Sequence, residues 1–306
     1  MIMKPETITI NLPDDYEGRV EAVLMKHPSG QETTRAVLYI HGYLDYYFQY
    51  HMGEFFASRG YDFYALDLRK YGRAWLPHQH FNYCRRMEEY FPEIDASIDR
   101  IIAAGNHDLT LMGHSTGGLL SALYCAEGSR RDKISRLVLN SPFLEFNTNW
   151  ATRKIAIPIA GTLSLVFPYA HMKNVLSPNY FKSVHDSQYG EWNFDTSLKP
   201  AVAPPLYFAW LRAVRLAQKK VRHDPQLQMP VLVMFSDKST YHRDWHEEAM
   251  ESDTILNVGH IKRYGAGLGR DVTLEEVSGG LHDLVLSRKE VRDKVLETME
   301  TFMRTH

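Results

Sequence analysis

The run Gly113-His114-Ser115-Thr116-Gly117-Gly118 contains the pattern Gly-x-Ser-x-Gly, which can present a serine hydroxyl for nucleophilic attack. It lies between an apolar stretch of strand type at 109–112 and a helical pattern at 117–126. A tight strand-to-helix turn projects the hydroxyl over the first turn of the helix, where backbone N–H groups stabilise negative charge. This placement predicts that Ser115 is a nucleophile, and a glycine-rich turn with an unused serine is the alternative.

The elements that would position this serine alternate along the chain. Continuous apolar runs are typical of strands that are covered on both faces, and they occur at 36–40, 63–66, 109–112, 137–139 and 231–235. Further strand patterns lie at 7–12, 20–25 and 272–277, and helical patterns at 46–59, 88–104, 117–126 and near the end of the chain. Such alternation predicts βαβ units and a mostly parallel sheet.

The alternation stops after about residue 143 and resumes at residue 231. The intervening stretch 155–170 is uncharged and contains Pro158 and Pro168, so it is too short and too interrupted to span a membrane. A basic amphipathic helix is predicted at 206–222, with one polar stripe made of Arg212, Arg215, Lys219 and Arg222. We therefore predict a core formed by 1–144 and 229–306, interrupted by an inserted helical segment, 145–228.

Composition excludes several classes of protein. The 306 residues are 44% hydrophobic and 24% charged, which is typical of a folded globular chain. With 35 basic and 37 acidic residues, the chain has no electrostatic basis for binding nucleic acid. Two cysteines and a start without a basic and then apolar stretch predict a cytoplasmic protein without a secretion signal. No Walker loop, dinucleotide fingerprint or cysteine pair occurs, so we expect no cofactor and no metal.

These features resemble the α/β-hydrolases, and among them the serine hydrolases of the monoacylglycerol lipase and lysophospholipase group. The resemblance runs over nearly the whole chain: His41-Gly42 after the third strand, Asp67-Leu68-Arg69 after the fourth, the Ser115 motif, an insertion, an acid and a late histidine. It implies an α/β-hydrolase fold, with a mostly parallel central sheet flanked by helices and a helical cap inserted after the sixth strand.

The resemblance also implies a catalytic base in the loop between the last strand and the last helix. His282 occupies that position, in Gly279-Gly280-Leu281-His282-Asp283. A group that titrates near neutral pH can take the proton of Ser115 and return it to the leaving group. The alternative for His282 is an ordinary histidine in a surface loop.

Two aspartates are candidates for the acid that orients this base. Relatives usually carry the acid directly after the strand predicted at 231–235, which favours Asp237. However, Asp237 lies 45 residues before His282, a long distance for one helix and one strand, whereas Asp253 lies 29 residues before it. We prefer Asp253 and keep Asp237 as the alternative; residues 241–250 would then be an insertion.

For the oxyanion hole, the resemblance implies the backbone N–H groups of Tyr43 and Thr116. The implied activity is cofactor-free hydrolysis of a small-molecule carboxylic ester with an apolar acyl group, with monoacylglycerols or lysophospholipids first. The alternatives are a short-chain or aryl esterase, a serine aminopeptidase, and a non-catalytic binding or sensor protein. Contact of the basic helix with a membrane surface is less favoured than a solvated face, and the oligomeric state is left open.

Overall fold

A computed structural model describes residues 5–174, 176–223 and 225–306, and ten strands lie within them. They are β1 Glu6–Asp15, β2 Gly18–His27, β3 Arg35–Ile40, β4 Asp62–Asp67, β5 Asp108–His114, β6 Ile134–Asn140, β7 His171–Met172, β8 Leu206–Tyr207, β9 Val231–Ser236 and β10 Val272–Val277. Eight of them form one sheet in the order β1-β2-β4-β3-β5-β6-β9-β10, and β7 pairs with β8 separately.

The large sheet is mostly parallel, as the sequence predicts. Strands β1 and β2 form an antiparallel hairpin, β2 is antiparallel to β4, and every other neighbouring pair is parallel. All residues of β4 and β9 are buried, which agrees with their continuous apolar runs. The carboxyl ends of β3, β5, β6 and β9 therefore meet at one edge of the sheet.

Helices cover both faces of this sheet. They are α1 Tyr50–Ser58, α2 Phe91–Ala103, α3 Thr116–Glu127, α4 Ile157–Leu163, α5 Asn179–Val184, α6 Phe208–Arg222, α7 Val258–Gly265 and α8 Lys289–Thr305. Leu38 and Ile40 of β3 pack in the apolar cluster of α2, α3 and α6. Val37 and Tyr39 point to the opposite face, where α1 and α8 pack. The alternation within one strand thus divides the core into two layers.

Two helices before β5 begin later than the sequence predicts. The pattern at 46–59 starts as a helix only at Tyr50, because the backbone N–H of Tyr47 donates to the Asp67 carboxylate at 2.8 Å and holds this stretch as a loop. The pattern at 88–104 starts with a short 3₁₀ turn at Met87–Tyr90, and α2 begins at Phe91. Pro92 lies in the first turn of α2, where its missing N–H is not needed.

Between β6 and β9 the chain forms short elements rather than strand and helix pairs. A π-helical turn, Thr152–Ala156, runs into α4, and α5 and the small β7–β8 ribbon follow. The predicted basic helix begins at Phe208, because Leu206 and Tyr207 pair with β7 instead. In the part of the chain that the structure describes, no helix combines the length and the apolar character needed to cross a membrane.

Candidate active site

Ser115 occupies the turn between β5 and α3 with an unusual backbone conformation. Its φ is +52° and its ψ is −115°, a strained combination for a residue with a side chain. A side chain at Gly113 would come within 2.5 Å of the Gly117 carbonyl oxygen. A side chain at Gly117 would collide with the carbonyl oxygens of Ile40 and His41. The two motif glycines are therefore required for β5, α3 and the end of β3 to pack around the serine.

The structure brings Ser115, His282 and Asp253 together. The Nε2 atom of His282 lies 3.0 Å from the Ser115 hydroxyl oxygen, and its Nδ1 atom lies 2.8 Å from an Asp253 carboxylate oxygen. All three side chains are buried. The imidazole thus lies between a hydroxyl that could lose a proton and a carboxylate that could hold the ring in one tautomer.

Asp253 is held independently of the histidine. Its second carboxylate oxygen accepts hydrogen bonds from the backbone N–H groups of Ile255 at 2.8 Å and Leu256 at 2.7 Å. Its own backbone N–H donates to the Lys238 carbonyl oxygen, and its carbonyl oxygen accepts from Thr240. These bonds fix the carboxylate before any substrate arrives, and they attach the acid loop to the chain that follows β9.

Asp237, the alternative acid, bonds to the turn after β10 rather than to the His282 ring. Its carboxylate accepts from the Ser278 hydroxyl at 3.0 Å and from the backbone N–H of Gly279 at 3.3 Å. Gly279 has a φ of +71° and belongs to the turn that leaves β10. Asp237 thus supports the start of the His282 loop, whereas the His282 ring donates from Nδ1 to the Asp253 carboxylate.

The two predicted oxyanion amides belong to Tyr43, which follows β3, and to Thr116, which directly follows Ser115. A Cβ atom on Gly42 would lie 3.2 Å from the Ser115 Cβ, so the loop after β3 passes directly beside Ser115. Thr116 is the first residue of α3. Among the described residues, neither the Tyr43 nor the Thr116 backbone N–H donates to a protein acceptor. Both donors are available to an oxyanion that forms at Ser115.

Asn140, at the end of β6, connects the serine to the histidine loop. Its carbonyl oxygen accepts from the Ser115 backbone N–H at 3.0 Å. Its side chain donates to Asp283 at 2.7 Å and accepts from the Leu284 backbone N–H at 3.2 Å. Sequence reasoning missed this role, although the position of Asn140 at a strand end next to the motif strand is a usable signal.

A buried polar network lies next to the His282 ring. The Lys199 ammonium is 2.6 Å from the Asp45 carboxylate, and both side chains are buried. The His114 ring lies 4.9 Å from the His282 ring, and burial lowers the pKa of His114. Burial alone would raise the pKa of Asp283, but its neighbours reverse the shift and lower this pKa. Those neighbours are His114, Gln49, Lys199 and Asn140.

Ligand atoms of Asp45, His114 and Asp283 lie within 4.8 Å of one another, which is close enough for a metal ion. However, the Lys199 ammonium already neutralises Asp45, and side-chain amides of Gln49 and Asn140 donate to Asp283. We therefore interpret this group as an internal network rather than a metal site. Sequence reasoning could not find the pair, because Lys199 and Asp45 are 154 residues apart.

Aromatic side chains surround the serine and the histidine. The backbone N–H of Phe143 donates to the Ser115 carbonyl oxygen at 2.9 Å, and its ring stacks 6.5 Å from Trp210 of α6. The Trp210 ring lies 4.3 Å from Tyr43, and the Tyr180 ring of α5 lies edge-on, 5.5 Å from His282. Two helices of the 145–228 segment therefore contribute aromatic side chains close to Ser115 and His282.

Comparisons with known proteins agree with this architecture. A family model described as "Serine aminopeptidase, S33" matches residues 31–288, so the chain belongs to this family of α/β-hydrolases. No curated protein matches the sequence. The family defines the class of the protein as a hydrolase with the α/β-hydrolase fold.

Solved structures share the fold over nearly the whole chain. A soluble variant of monoglyceride lipase from Saccharomyces cerevisiae, in complex with a substrate analog, has a TM-score of 0.72 at 18% identity, covering 99% of this chain and 96% of its own. Monoacylglycerol lipase from Paleococcus ferrophilus has a TM-score of 0.67 at 19% identity, covering 99% of this chain and 100% of its own. Est1E from Butyrivibrio proteoclasticus with bound ferulic acid has a TM-score of 0.60 at 16% identity, covering 94% of this chain and 95% of its own. The predicted α/β-hydrolase fold is confirmed.

Proposed function

We propose that the protein is a serine hydrolase of carboxylic esters, with Ser115 as nucleophile, His282 as base and Asp253 as acid. The observation that carries the proposal is the His282 ring, which lies 3.0 Å from the Ser115 oxygen and 2.8 Å from the Asp253 carboxylate. The strained turn of Ser115 supports it, since such strain persists where the surrounding structure enforces it and clusters at active sites.

The proposed reaction passes through an acyl-enzyme. The Ser115 oxygen attacks the ester carbonyl carbon while its proton moves to His282 Nε2, and Asp253 stabilises the resulting imidazolium. The amides of Tyr43 and Thr116 hold the oxyanion. When the carbon–oxygen bond to the alcohol breaks, the imidazolium returns the proton to that alcohol. Water, deprotonated by His282, then attacks the acyl carbon. The carbon–oxygen bond to Ser115 breaks, the imidazolium returns its proton to the serine oxygen, and the acid is released.

We further propose that residues 145–228 act as the cap over this site. Trp210 and Tyr180 approach Tyr43 and His282, and the Lys199 side chain reaches Asp45 of the core. The aromatic walls favour an acyl chain over a charged group. We therefore favour monoacylglycerol- or lysophospholipid-like esters, in agreement with two of the similar structures, and keep short-chain or aryl esters as the alternative.

The outer surface of the proposed cap also supports a lipid-like substrate. Residues 150–176 expose large apolar side chains, among them Trp150, Leu165, Val166 and Phe167. No aspartate or glutamate occurs from 146 to 185, whereas Lys154, Lys173 and Lys182 do. An apolar and basic surface suits contact with aggregated or anionic lipid.

The basic stripe of α6 is less suited to that contact than the sequence indicates. Arg222 is paired with Glu145, and Arg215 donates to the Arg153 carbonyl oxygen at 2.9 Å. These charges are used within the protein, so we assign lipid contact to the 150–176 surface instead.

A serine aminopeptidase is the second candidate, because the family description names one. Such an enzyme needs a carboxylate for the free amine of its peptide. The carboxylates beside the catalytic histidine are already engaged, Asp45 by Lys199 and Asp283 by side-chain amides. This favours esters over peptides.

A substrate panel tests the proposal. Purified protein is assayed with p-nitrophenyl esters from acetate to palmitate and with aminoacyl-β-naphthylamides, beside Ser115→Ala. We expect ester turnover that rises from acetate towards octanoate and is lost in Ser115→Ala. Preference for acetate would contradict the lipid-like substrate, and turnover of naphthylamides alone would favour the aminopeptidase. Folded protein without any turnover would favour a binding or sensor role.

A further inference from the structure

The segment between Asp237 and Asp253 brings two histidines and a glutamate together on the surface. His242 Nε2 lies 2.8 Å from a Glu248 carboxylate oxygen, and His246 Nδ1 lies 3.6 Å from the same oxygen. The two imidazole rings stack with their centres 4.2 Å apart. One ligand atom from each of the three residues can be chosen so that all lie within 4.8 Å of one another. Nothing in the proposed ester hydrolysis uses these residues.

We propose that His242, His246 and Glu248 form a binding site for a divalent transition metal ion, with Zn²⁺ as the typical occupant. Two imidazoles and one carboxylate are a donor set that suits Zn²⁺, which binds such atoms at about 2.0–2.2 Å. Three ligands leave at least one position for water.

The side chains can reach one ion with small movements. All three are exposed, so their χ angles can turn the ring nitrogens toward a common point. His246 Nδ1 now accepts a hydrogen bond from the Glu248 backbone N–H at 3.3 Å. A metal ion would replace that long bond, or would take the Nε2 atom of the same ring.

The backbone that carries these side chains is anchored at several points. The side chain of Asn179, a buried residue of α5, donates to the carbonyl oxygens of His242 at 2.9 Å and Asp244 at 3.0 Å. The Ser252 hydroxyl donates to the Glu248 carbonyl oxygen at 2.6 Å. The Trp245 ring stacks 4.0 Å from Tyr189. The loop is therefore partly organised before a metal ion binds, which lowers the entropy lost on binding.

The position of the site links it to the acid loop. Ser252 directly precedes Asp253, and the backbone of Ser239 pairs with that of Asp253 through a hydrogen bond from the Thr240 N–H to the Asp253 carbonyl oxygen. The proposed ligands His242 and Glu248 lie in the loop that connects the two paired stretches. An ion held by both would restrain this loop and, through it, the two stretches that it connects. We therefore expect the metal to stabilise the acid loop without touching the reacting groups.

The sequence already contains a signal for this site. His242 and His246 have the spacing His-x-x-x-His, and Glu248 follows two residues later. The expectation of no metal overlooked this spacing. Outside the short 3₁₀ turn Glu247–Met250, the segment has no regular structure that would suggest a shared face.

Zinc titration of the full chain tests the proposal. The protein, without a histidine tag and treated with chelator, is titrated with Zn²⁺ by calorimetry, beside His242→Ala, Glu248→Gln and His107→Ala. His107 is an exposed histidine that serves as the matched control. We expect one Zn²⁺ per chain, with affinity weakened about 10- to 100-fold in His242→Ala and Glu248→Gln, and unchanged in His107→Ala.

A thermal readout separates this site from the catalytic histidine, which could also bind zinc. Zn²⁺ should raise the melting temperature of wild-type protein, and this rise should disappear in His242→Ala but persist in His282→Ala. The proposal is wrong if Zn²⁺ does not bind, if His242→Ala and Glu248→Gln bind it like wild type, or if only His282→Ala abolishes binding. Glu248→Gln keeps the size of the side chain, so it remains informative if an alanine variant does not fold.

Discussion

The residues around Ser115 and the segment 145–228 are built in different ways. Ser115, His282 and Asp253 are buried: packed glycines support the Ser115 turn, backbone N–H groups hold the Asp253 carboxylate, and the His282 ring lies between the two. The segment 145–228 contains helices as short as six and seven residues and exposes Val166 with 72% of its surface free. Rigid support fits groups that need a fixed geometry, whereas a loosely packed, apolar surface fits selection of a substrate. The difference predicts that mutations will separate catalytic rate from substrate preference.

The largest effect is expected from Asp253→Asn. The asparagine keeps the shape but cannot stabilise the His282 imidazolium, so kcat should fall on the order of 10⁴-fold with KM little changed. Asp237→Asn is the matched control, because its carboxylate bonds to Ser278 and Gly279 instead. Steady-state kinetics on a p-nitrophenyl ester would measure both, and an equal loss in the two variants would contradict the assignment of the acid.

The junction between the two regions should respond to Lys199→Met. Removing the ammonium leaves the Asp45 carboxylate buried without a cation, which should lower the free energy of unfolding by about 3–5 kcal/mol. Lys289→Met, which breaks the exposed pair with Asp293, should change it by less than about 0.5 kcal/mol. Denaturant unfolding gives both values. Equal free energies of unfolding for the two variants would contradict a stabilising role of the Lys199–Asp45 pair between the segment 145–228 and the core.

A second junction residue, His51, should make stability depend on pH. Burial lowers its pKa to about 4, while its Nε2 donates to the Val285 carbonyl oxygen and its ring stacks on Trp192. Between pH 6.5 and pH 4, His51 is protonated in the unfolded chain but stays neutral in the folded protein. Protonation therefore favours unfolding in this range, so the stability that neutral His51 provides is complete above pH 6.5 and is lost as pH falls towards 4.

The His51→Gln variant keeps a donor for Val285 without the titration. Between pH 6.5 and pH 4 the variant should lose less stability than wild type, and the difference should be on the order of 3 kcal/mol. His107→Gln, at an exposed position, is the control and should follow wild type. Unfolding curves across this pH range measure the difference. Parallel pH profiles for wild type and His51→Gln would show that the burial of His51 does not govern acid stability.

The smallest effect on stability is expected on the outer surface of the proposed cap. Val166→Ser with Phe167→Ser should change the free energy of unfolding by less than about 0.5 kcal/mol, because both side chains are exposed. Activity on a dissolved short ester should be unchanged, whereas activity on an emulsified long-chain ester should fall several-fold. Val202→Ser, at an exposed site in the same segment, is the control. Equal activity of both variants on the emulsion would contradict contact of this surface with lipid.

Features set by local sequence could be predicted, and those set by distant contacts could not. The strand, turn and helix around Ser115 follow from adjacent residues, since the glycines on both sides are needed for packing. The pairing of His282 with Asp253 rather than Asp237 agrees with the shorter separation in sequence. By contrast, the predicted start of α1 was wrong because a bond from Tyr47 to Asp67, twenty residues away, competes with the helix. The Asp45–Lys199 pair joins residues without any shared pattern.

The most direct test of the central claim is covalent labelling of Ser115 with a fluorophosphonate, followed by intact mass and peptide mapping. Attack of an activated serine on phosphorus displaces fluoride and leaves one stable adduct. We predict one adduct per chain, on Ser115, with no labelling of Ser115→Ala and slow labelling of His282→Ala. Folded wild-type protein that remains unlabelled, or that is labelled at another residue, would contradict the account.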